Sequence, residues 1–361
     1  MSANIQDIRT ALSRVIDPDT RKTLALTEPE LRITPAGDAF DITVTLGYPL
    51  YNGQQGLRER IEAALQGCGA LPGQINFESR IISHAVQRGL RTSPNVRNII
   101  AVASGKGGVG KSTTSVNIAL ALQAQGARVG LLDADIYGPS VPIMLGLSGK
   151  PKSIDGKSME PMIGHGLQTN SIGFLMDDDG PAIWRGPMVT QALTQLLSLT
   201  NWNDLDYLIV DMPPGTGDIA LTMAQKVPLT GAIIVTTPQD LALADARKGL
   251  IMFQKVDVPV LGIVENMSVH ICSNCGHSEP IFGHDGGRHL ATEHSLPWLG
   301  ALPLQLDIRV ETDSGRPSVV ASPDGTASRL YHEIAHQLAV HISTQPADTS
   351  AARPGVVVRK S

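Results

Sequence analysis

Apolar residues change their spacing several times along this chain, and each change predicts an element. Ile5, Ile8, Leu12 and Val15 recur every three or four residues, the spacing of one helix face. Asp17-Pro18-Asp19 then breaks the run. Phe40, Ile42, Val44 and Leu46 alternate with other residues, which predicts a half-buried strand. Helical spacing returns at Leu57, Ile61 and Leu65 and stops at Gly67, and residues 74–82 read as another strand. From residue 98 the pattern becomes short apolar runs, at 98–103, 128–132, 207–211, 231–236 and 259–263. Helical stretches lie between them; residues 113–123, for example, are apolar at Val116, Ile118, Ala119 and Leu122. That alternation predicts an α/β fold with a parallel sheet and helices on both faces.

The same pattern divides the chain into a small α/β domain at 1–90, a polar, basic, proline-bearing linker at 91–97 and the parallel-sheet domain at 98–345. The tail at 346–361 combines Pro, Ala and Ser with Arg and Lys, a composition that predicts disorder. Residues 155–165 read as loop, Asp177-Asp178-Asp179-Gly180 as a solvated acidic turn, and 326–344 as a C-terminal helix packed on the sheet.

Composition narrows the function classes. With 361 residues the chain can bury two cores. A net charge of −5 argues against a general nucleic-acid or anionic-membrane surface, so neither partner is expected. No run of about 18 apolar residues marks a membrane helix. The start, Met1-Ser2-Ala3-Asn4-Ile5-Gln6-Asp7, lacks the basic and apolar regions of a secretion signal. Only three cysteines occur, Cys68, Cys272 and Cys275. Scarcity and an odd count speak against a disulfide framework and for a reducing, cytoplasmic setting.

The densest chemical signal is Gly105-Lys106-Gly107-Gly108-Val109-Gly110-Lys111-Ser112, between a predicted strand and a predicted helix. It fits the loop G-x-x-x-x-G-K-S/T, which cradles nucleotide phosphates. Glycines allow positive φ and close backbone approach, so successive N–H groups form an anion nest capped by the helix N-terminus. Lys111 would reach the β- and γ-phosphates, and Ser112 would ligate Mg²⁺. Two apolar strands end in acids, Leu208-Ile209-Val210-Asp211 and Leu131-Leu132-Asp133-Ala134-Asp135. Acids at the carboxyl ends of parallel strands face the ligand edge of such a sheet. Asp211 would stand near Mg²⁺, and Asp135 would orient the attacking water, unless Asp133 or Asp135 only caps the next element.

Cys272-Ser273-Asn274-Cys275 spaces two sulfurs so that both can face one metal centre. A [4Fe–4S] cluster takes four thiolates. One chain supplies two, so a symmetric dimer would bring the pairs together on its two-fold axis. Structural zinc, held by four thiolates across a dimer or by two thiolates with His270 and His277, fits the spacing as well. A redox dithiol is a third reading. Cys68 is an ordinary small residue.

The lysine-bearing loop through Thr113 resembles the deviant phosphate loop of the MinD/ParA/nitrogenase-iron-protein class of dimeric ATPases. Further segments are Asp133-Ala134-Asp135-Ile136-Tyr137-Gly138-Pro139-Ser140, Arg185-Gly186-Pro187-Met188, Asp211-Met212-Pro213-Pro214-Gly215-Thr216-Gly217-Asp218 and Cys272-Ser273-Asn274-Cys275. Together they resemble the Mrp/ApbC family of iron–sulfur cluster carriers over about residues 96–340. The first 90 residues resemble a MIP18-type domain. Its cysteine near the second strand has no counterpart in Leu46-Gly47-Tyr48-Pro49-Leu50; a docking or regulatory role is the expectation there. The resemblance implies that Lys106 reaches the partner's phosphates in a nucleotide-sandwich dimer. It gives Lys111, Ser112, Asp135 and Asp211 the roles named above. It also implies base contacts from Thr237-Pro238-Gln239-Asp240, through Pro238, and from Glu265-Asn266-Met267-Ser268, through Asn266. With no Asn-Lys-x-Asp guanine motif present, ATP is the expected nucleotide. The function implied is an ATP-hydrolysing homodimer that carries a [4Fe–4S] cluster on Cys272 and Cys275 to recipient apoproteins. The alternatives are a MinD/ParA-like spatial-organisation ATPase and an electron-transfer reductase like the nitrogenase iron protein.

Overall fold

The computed structural model describes residues 4–25, 30–175 and 186–349. It divides into two units: one runs to Ile82 and takes back Ala339–Thr344, and the other runs Ser83–Leu338 and resumes at Gln345. The stretch 91–97 expected as linker lies within the second unit.

The first unit holds α1 (Ile5–Leu12), β1 (Leu31–Ala36), β2 (Ala39–Leu46), α2 (Gln55–Gly67) and β3 (Leu71–Ser79). A capping box starts α1. Asn4 Oδ1 accepts from the N–H groups of Gln6 and Asp7 at 2.8 and 3.0 Å, and Asp7 Oδ2 accepts from the Asn4 N–H at 3.1 Å. Such a cap contributes about 1 kcal/mol. The helix stops at Leu12, short of the apolar run's Val15, whose N–H donates back to the Leu12 carbonyl in a turn. β2 pairs antiparallel with β1 and parallel with β3. The third strand starts at Leu71 and ends at Ser79, not at 74 and 82, because it follows β2 from Ala39 to Leu46. Of the positions picked out by spacing, Ile8, Leu12, Val15, Ile42, Val44, Leu46, Leu57, Ile61 and Leu65 are buried, whereas Ile5 is exposed and Phe40 half-buried.

The second unit builds an eight-stranded sheet in the order β13-β10-β9-β4-β8-β5-β7-β6. In chain order its elements are β4 (Val96–Ser104), α3 (Lys111–Ala124), β5 (Val129–Asp133), α4 (Val141–Met144), β6 (Met162–Gly164), β7 (Leu167–Ser171), α5 (Gly186–Leu199), β8 (Leu205–Asp211), α6 (Asp218–Lys226), β9 (Gly231–Thr236) and α7 (Asp240–Lys255). β10 (Val260–Glu265), β11 (His270–Ile271), β12 (Ser278–Glu279), α8 (Gly286–Glu293), β13 (Trp298–Ala301), α9 (Leu306–Asp313), α10 (Ser318–Ala321) and α11 (Thr326–Ser343), whose residues from Ala339 count with the first unit, complete it. Every pairing in the sheet is parallel except β6 with β7. Ile99, Ala101 and Ala103 of β4, Leu208 and Val210 of β8, and Ala232 and Ile234 of β9 share one core with α5, α6, α7 and α8. α3 packs on β4, β5 and β8 with residues outside that core, so helices cover both faces.

Residues 155–165 are not all loop. Met162–Gly164 pairs with Leu167–Ser171 across His165 (φ 49°) and Gly166 (φ 86°), two left-handed residues that make a tight hairpin turn. β7 is polar yet buried at Thr169, Asn170 and Ser171, so no apolar period announced it. The acidic turn at Asp177-Asp178-Asp179-Gly180, Arg185 and the tail from residue 350 lie outside the described residues.

Candidate nucleotide loop and cysteine hairpin

The chain leaves β4 at Ser104, turns through the glycines and enters α3 at Lys111. Two of these glycines admit no side chain. A Cβ on Gly105 would lie 2.1 Å from the Asp245 carbonyl carbon, and one on Gly110 would lie 2.1 Å from Asn266 Nδ2. Gly110 also has φ +80°, where L residues are strained. Ser104 Oγ donates to the Lys106 carbonyl at 2.9 Å, and Asn266 Nδ2 donates to the Val109 carbonyl at 2.9 Å. The loop and the N-terminus of α3 border a cavity of about 190 Å³, lined by Lys106, Gly107, Lys111, Ser112, Asp135 and Pro214 among others. Backbone donors at a helix N-terminus beside two lysines make an anion site.

Carboxylates at the strand ends supply the opposite charge. Lys111 Nζ lies 2.9 Å from Asp211 Oδ1 and 3.4 Å from Asp135 Oδ2. Ser112 Oγ donates to Asp211 Oδ2 at 2.5 Å, and Ser115 Oγ donates to Asp211 Oδ1 at 2.7 Å. Lys111, Ser112, Asp135 and Asp211 therefore meet in one cluster. The hydroxyl of Ser112 and the carboxylate of Asp211 are hard oxygen donors beside a phosphate loop, a set that fits Mg²⁺. Ser115 was missed by motif reading, although four residues after Lys111 puts it on the same helix face.

Asp133 has different hydrogen-bond partners. It is the register partner of Asp211 on the neighbouring strand. Its Oδ1 accepts from the Asp135 N–H at 3.1 Å, and its Oδ2 accepts from the Val141 N–H at 3.2 Å and from Ser171 Oγ at 2.9 Å. It thus ties both ends of the 135–141 loop to the sheet. Burial, and then the charge of Asp211, push its carboxyl up to about 7. Burial also raises Asp135, with Lys111 opposing the shift and Asp211 adding to it.

Of the two residues expected to contact the base, Asn266 is joined to the glycine loop. Pro238 lines a separate cavity of about 510 Å³ with Gln239, Phe282, His284 and His289.

β11 and β12 form a small antiparallel ribbon, His270 opposite Glu279 and Ile271 opposite Ser278. The Cys272 N–H donates to the His277 carbonyl and the Gly276 N–H to the Cys272 carbonyl, both at 2.9 Å. Both cysteines sit in this turn as free thiols, Cys275 exposed and Cys272 partly so. Backbone N–H groups of Cys275 and Asn274, with the Cys275 side chain, hold the Cys272 thiol below its ordinary range. Among the described residues no three or more His, Cys, Asp or Glu side chains are grouped to hold a metal ion. Neither His270 nor His277 therefore joins the cysteines in a ligand set within the chain. Cys68 belongs to the first unit, at the end of α2, its Sγ donating to the Leu65 carbonyl at 3.2 Å.

Glycine loop, helix N-terminus and strand-end acids on a parallel sheet define the class, a P-loop NTPase. Residues 95–339 match the ParA family in the form described as NUBPL iron-transfer P-loop NTPase, and the chain belongs to that family. It is 59% identical over 251 residues to an iron-sulfur cluster carrier protein of Escherichia coli K12, covering 69% of this chain and 68% of the relative. It is 48% identical over 332 residues to one of Haemophilus influenzae, covering 91% and 89%. Among solved structures, a nucleotide-binding protein in complex with ADP from Archaeoglobus fulgidus superposes with a TM-score of 0.55 at 38% identity. That match covers 62% of this chain and 88% of the other.

Proposed function

We propose that this chain is an ATP-dependent iron–sulfur cluster carrier, in which two copies hold one [4Fe–4S] cluster between their cysteine hairpins. The observation that carries the reading is the solvent-reachable pair of Cys275, exposed, and Cys272, partly exposed, with no further ligand grouped beside it among the described residues. Two thiolates are half of what such a cluster takes, and a two-fold axis supplies the other half. The cluster is cargo, and a thiol held low in its titration range is ready to bind it. Relatives named iron-sulfur cluster carrier proteins, one of them similar over nine-tenths of this chain, favour iron over zinc.

The glycine loop would bind ATP, as the ADP complex of the structural relative suggests. Ser112 and Asp211 would hold Mg²⁺, which when bound offsets charge on the β- and γ-phosphates. Lys111, and Lys106 from the partner copy, would neutralise the γ-phosphate further. Asp135 would orient a water for in-line attack. The water oxygen bonds to the γ-phosphorus, the bond to the bridging oxygen breaks, and that oxygen leaves on ADP. Burial raises Asp135 above the usual carboxylate range, which strengthens it as acceptor of the water's proton. One Nδ2 hydrogen of Asn266 is engaged by Val109, and its Oδ1 and second Nδ2 hydrogen would meet the adenine base.

Anaerobic reconstitution with iron and sulfide tests the reading. Wild type is expected to take up about four irons per dimer with sulfur-to-iron charge-transfer absorbance, and Cys272→Ala to take up none. A protein that stays monomeric, or that binds zinc and never iron, would overturn it.

A further inference from the structure

Asn266 is more than a neighbour of the nucleotide loop. Its backbone N–H is fixed to the sheet by the Thr236 carbonyl at 2.7 Å. Its side-chain Nδ2 is fixed to the loop by the Val109 carbonyl at 2.9 Å. The next residue, Met267, is left-handed at φ 57°, so the chain turns sharply there. It then runs to the cysteines as a tethered strap. The Ser268 N–H and Oγ both donate to the Leu302 carbonyl, at 3.0 and 3.1 Å. The Leu304 N–H donates to the Val269 carbonyl at 2.7 Å, and the Ile271 N–H donates to the Leu304 carbonyl at 3.2 Å. Cys272 follows directly. The path from phosphate loop to thiol thus runs over the seven residues 266–272, held at almost every step, with one strained residue near its start.

We propose that Asn266 is a positioning residue that couples the glycine loop to the cysteine hairpin through the strap 266–272. Phosphates entering the nest pull on the N–H groups around Gly108 and Gly110, and the intervening Val109 carbonyl turns with them. Because Gly110 leaves no free space over Asn266 Nδ2, movement of the loop either carries the carboxamide along or breaks its bond. Both outcomes reach Met267, whose left-handed backbone is the weakest point of the strap. Nucleotide occupancy thereby resets the order of the 270–279 hairpin. The coupling rests on the loop binding nucleotide but not on the cargo being a cluster, so it can be tested on protein without iron.

Hydrogen–deuterium exchange of the apo protein, read by mass spectrometry with and without a saturating non-hydrolysable ATP analogue and Mg²⁺, tests it. In wild type the analogue is expected to slow exchange in the 105–113 loop and to change exchange in 268–279 by about fivefold or more, the low end of ordinary coupling. In Asn266→Ala the loop should still respond when occupied, while the hairpin response is lost. Met267→Gly keeps the carboxamide and loosens only the strap. It should bind the analogue and show a reduced hairpin response, and it decides the matter should Asn266→Ala fail to bind. A hairpin that responds in full in either variant with its loop occupied would overturn the proposal, as would a wild-type hairpin that ignores the nucleotide. Success or failure of iron uptake leaves this result untouched, so the two readings fail separately.

Discussion

Lys111 Nζ stands 2.9 Å from Asp211 Oδ1, with 6% and 0% of the two side chains exposed. The lysine that the phosphate loop would offer to a nucleotide is the cation paired with this buried carboxylate. Removing one partner of such a pair leaves the other stranded. Lys111→Ala is therefore expected to lower stability by about 3 kcal/mol, read by urea denaturation, as well as to abolish nucleotide binding. Lys106 in the same loop is half-exposed and lines the cavity. Lys106→Ala should change stability by less than about 0.5 kcal/mol while reducing hydrolysis. Equal destabilisation by the two would refute the distinction.

Asp135→Asn keeps the shape of the loop but removes the proton acceptor. Hydrolysis should fall roughly 100-fold, with affinity for ATP changed little, measured by single-turnover release of phosphate. Parallel loss of binding would show that Asp135 holds the loop rather than the water.

Asp133 makes stability depend on pH in an unusual direction. A free aspartate titrates at about 3.9, and burial, with the charge of Asp211, pushes Asp133 in the fold up to about 7. Between those values the folded protein keeps a proton that the unfolded chain has released. Stability should then fall as pH rises through the window, by at most about 1.4 kcal/mol per pH unit, and level off above it. The difference between wild-type and Asp133→Asn denaturation curves at pH 4 to 8 isolates the effect. A difference that stays constant across the range would show that Asp133 titrates normally.

Cys272 should be the most readily alkylated thiol of the apo protein. Its sulfur accepts backbone N–H groups of Asn274 and Cys275 that stabilise the thiolate, so its labelling should persist to lower pH than that of an ordinary cysteine. Mass spectrometry after brief iodoacetamide treatment orders the three thiols. Faster labelling of Cys68 at pH 7 would contradict the hairpin geometry.

Much of the architecture was legible in the chain. The five apolar runs from residue 98 became β4, β5, β8, β9 and β10, central strands whose residues are buried on both sides. Ile61 and Leu65 marked α2, which ends at Gly67 as expected. The polar hairpin of β6 and β7 was hidden, because Thr169, Asn170 and Ser171 are buried by their neighbours rather than by any apolar character. Ser115 and the anchoring duty of Asp133 were hidden too, since each depends on which strand lies next to which.

What the sequence determined by itself was local chemistry: glycines that permit the loop, a lysine and serine at its end, acids that stop two strands, and two cysteines spaced for one metal centre. Backbone sterics and side-chain type act over a few residues, so they can be read in order along the chain. Only the tertiary structure decided that Asp133 and Asp211 are register partners, that Asn266 grips the Val109 carbonyl 157 positions away, and that neither histidine completes the cysteine pair. Those relations come from strand order and from the burial of polar groups that must find partners, and no local pattern encodes either.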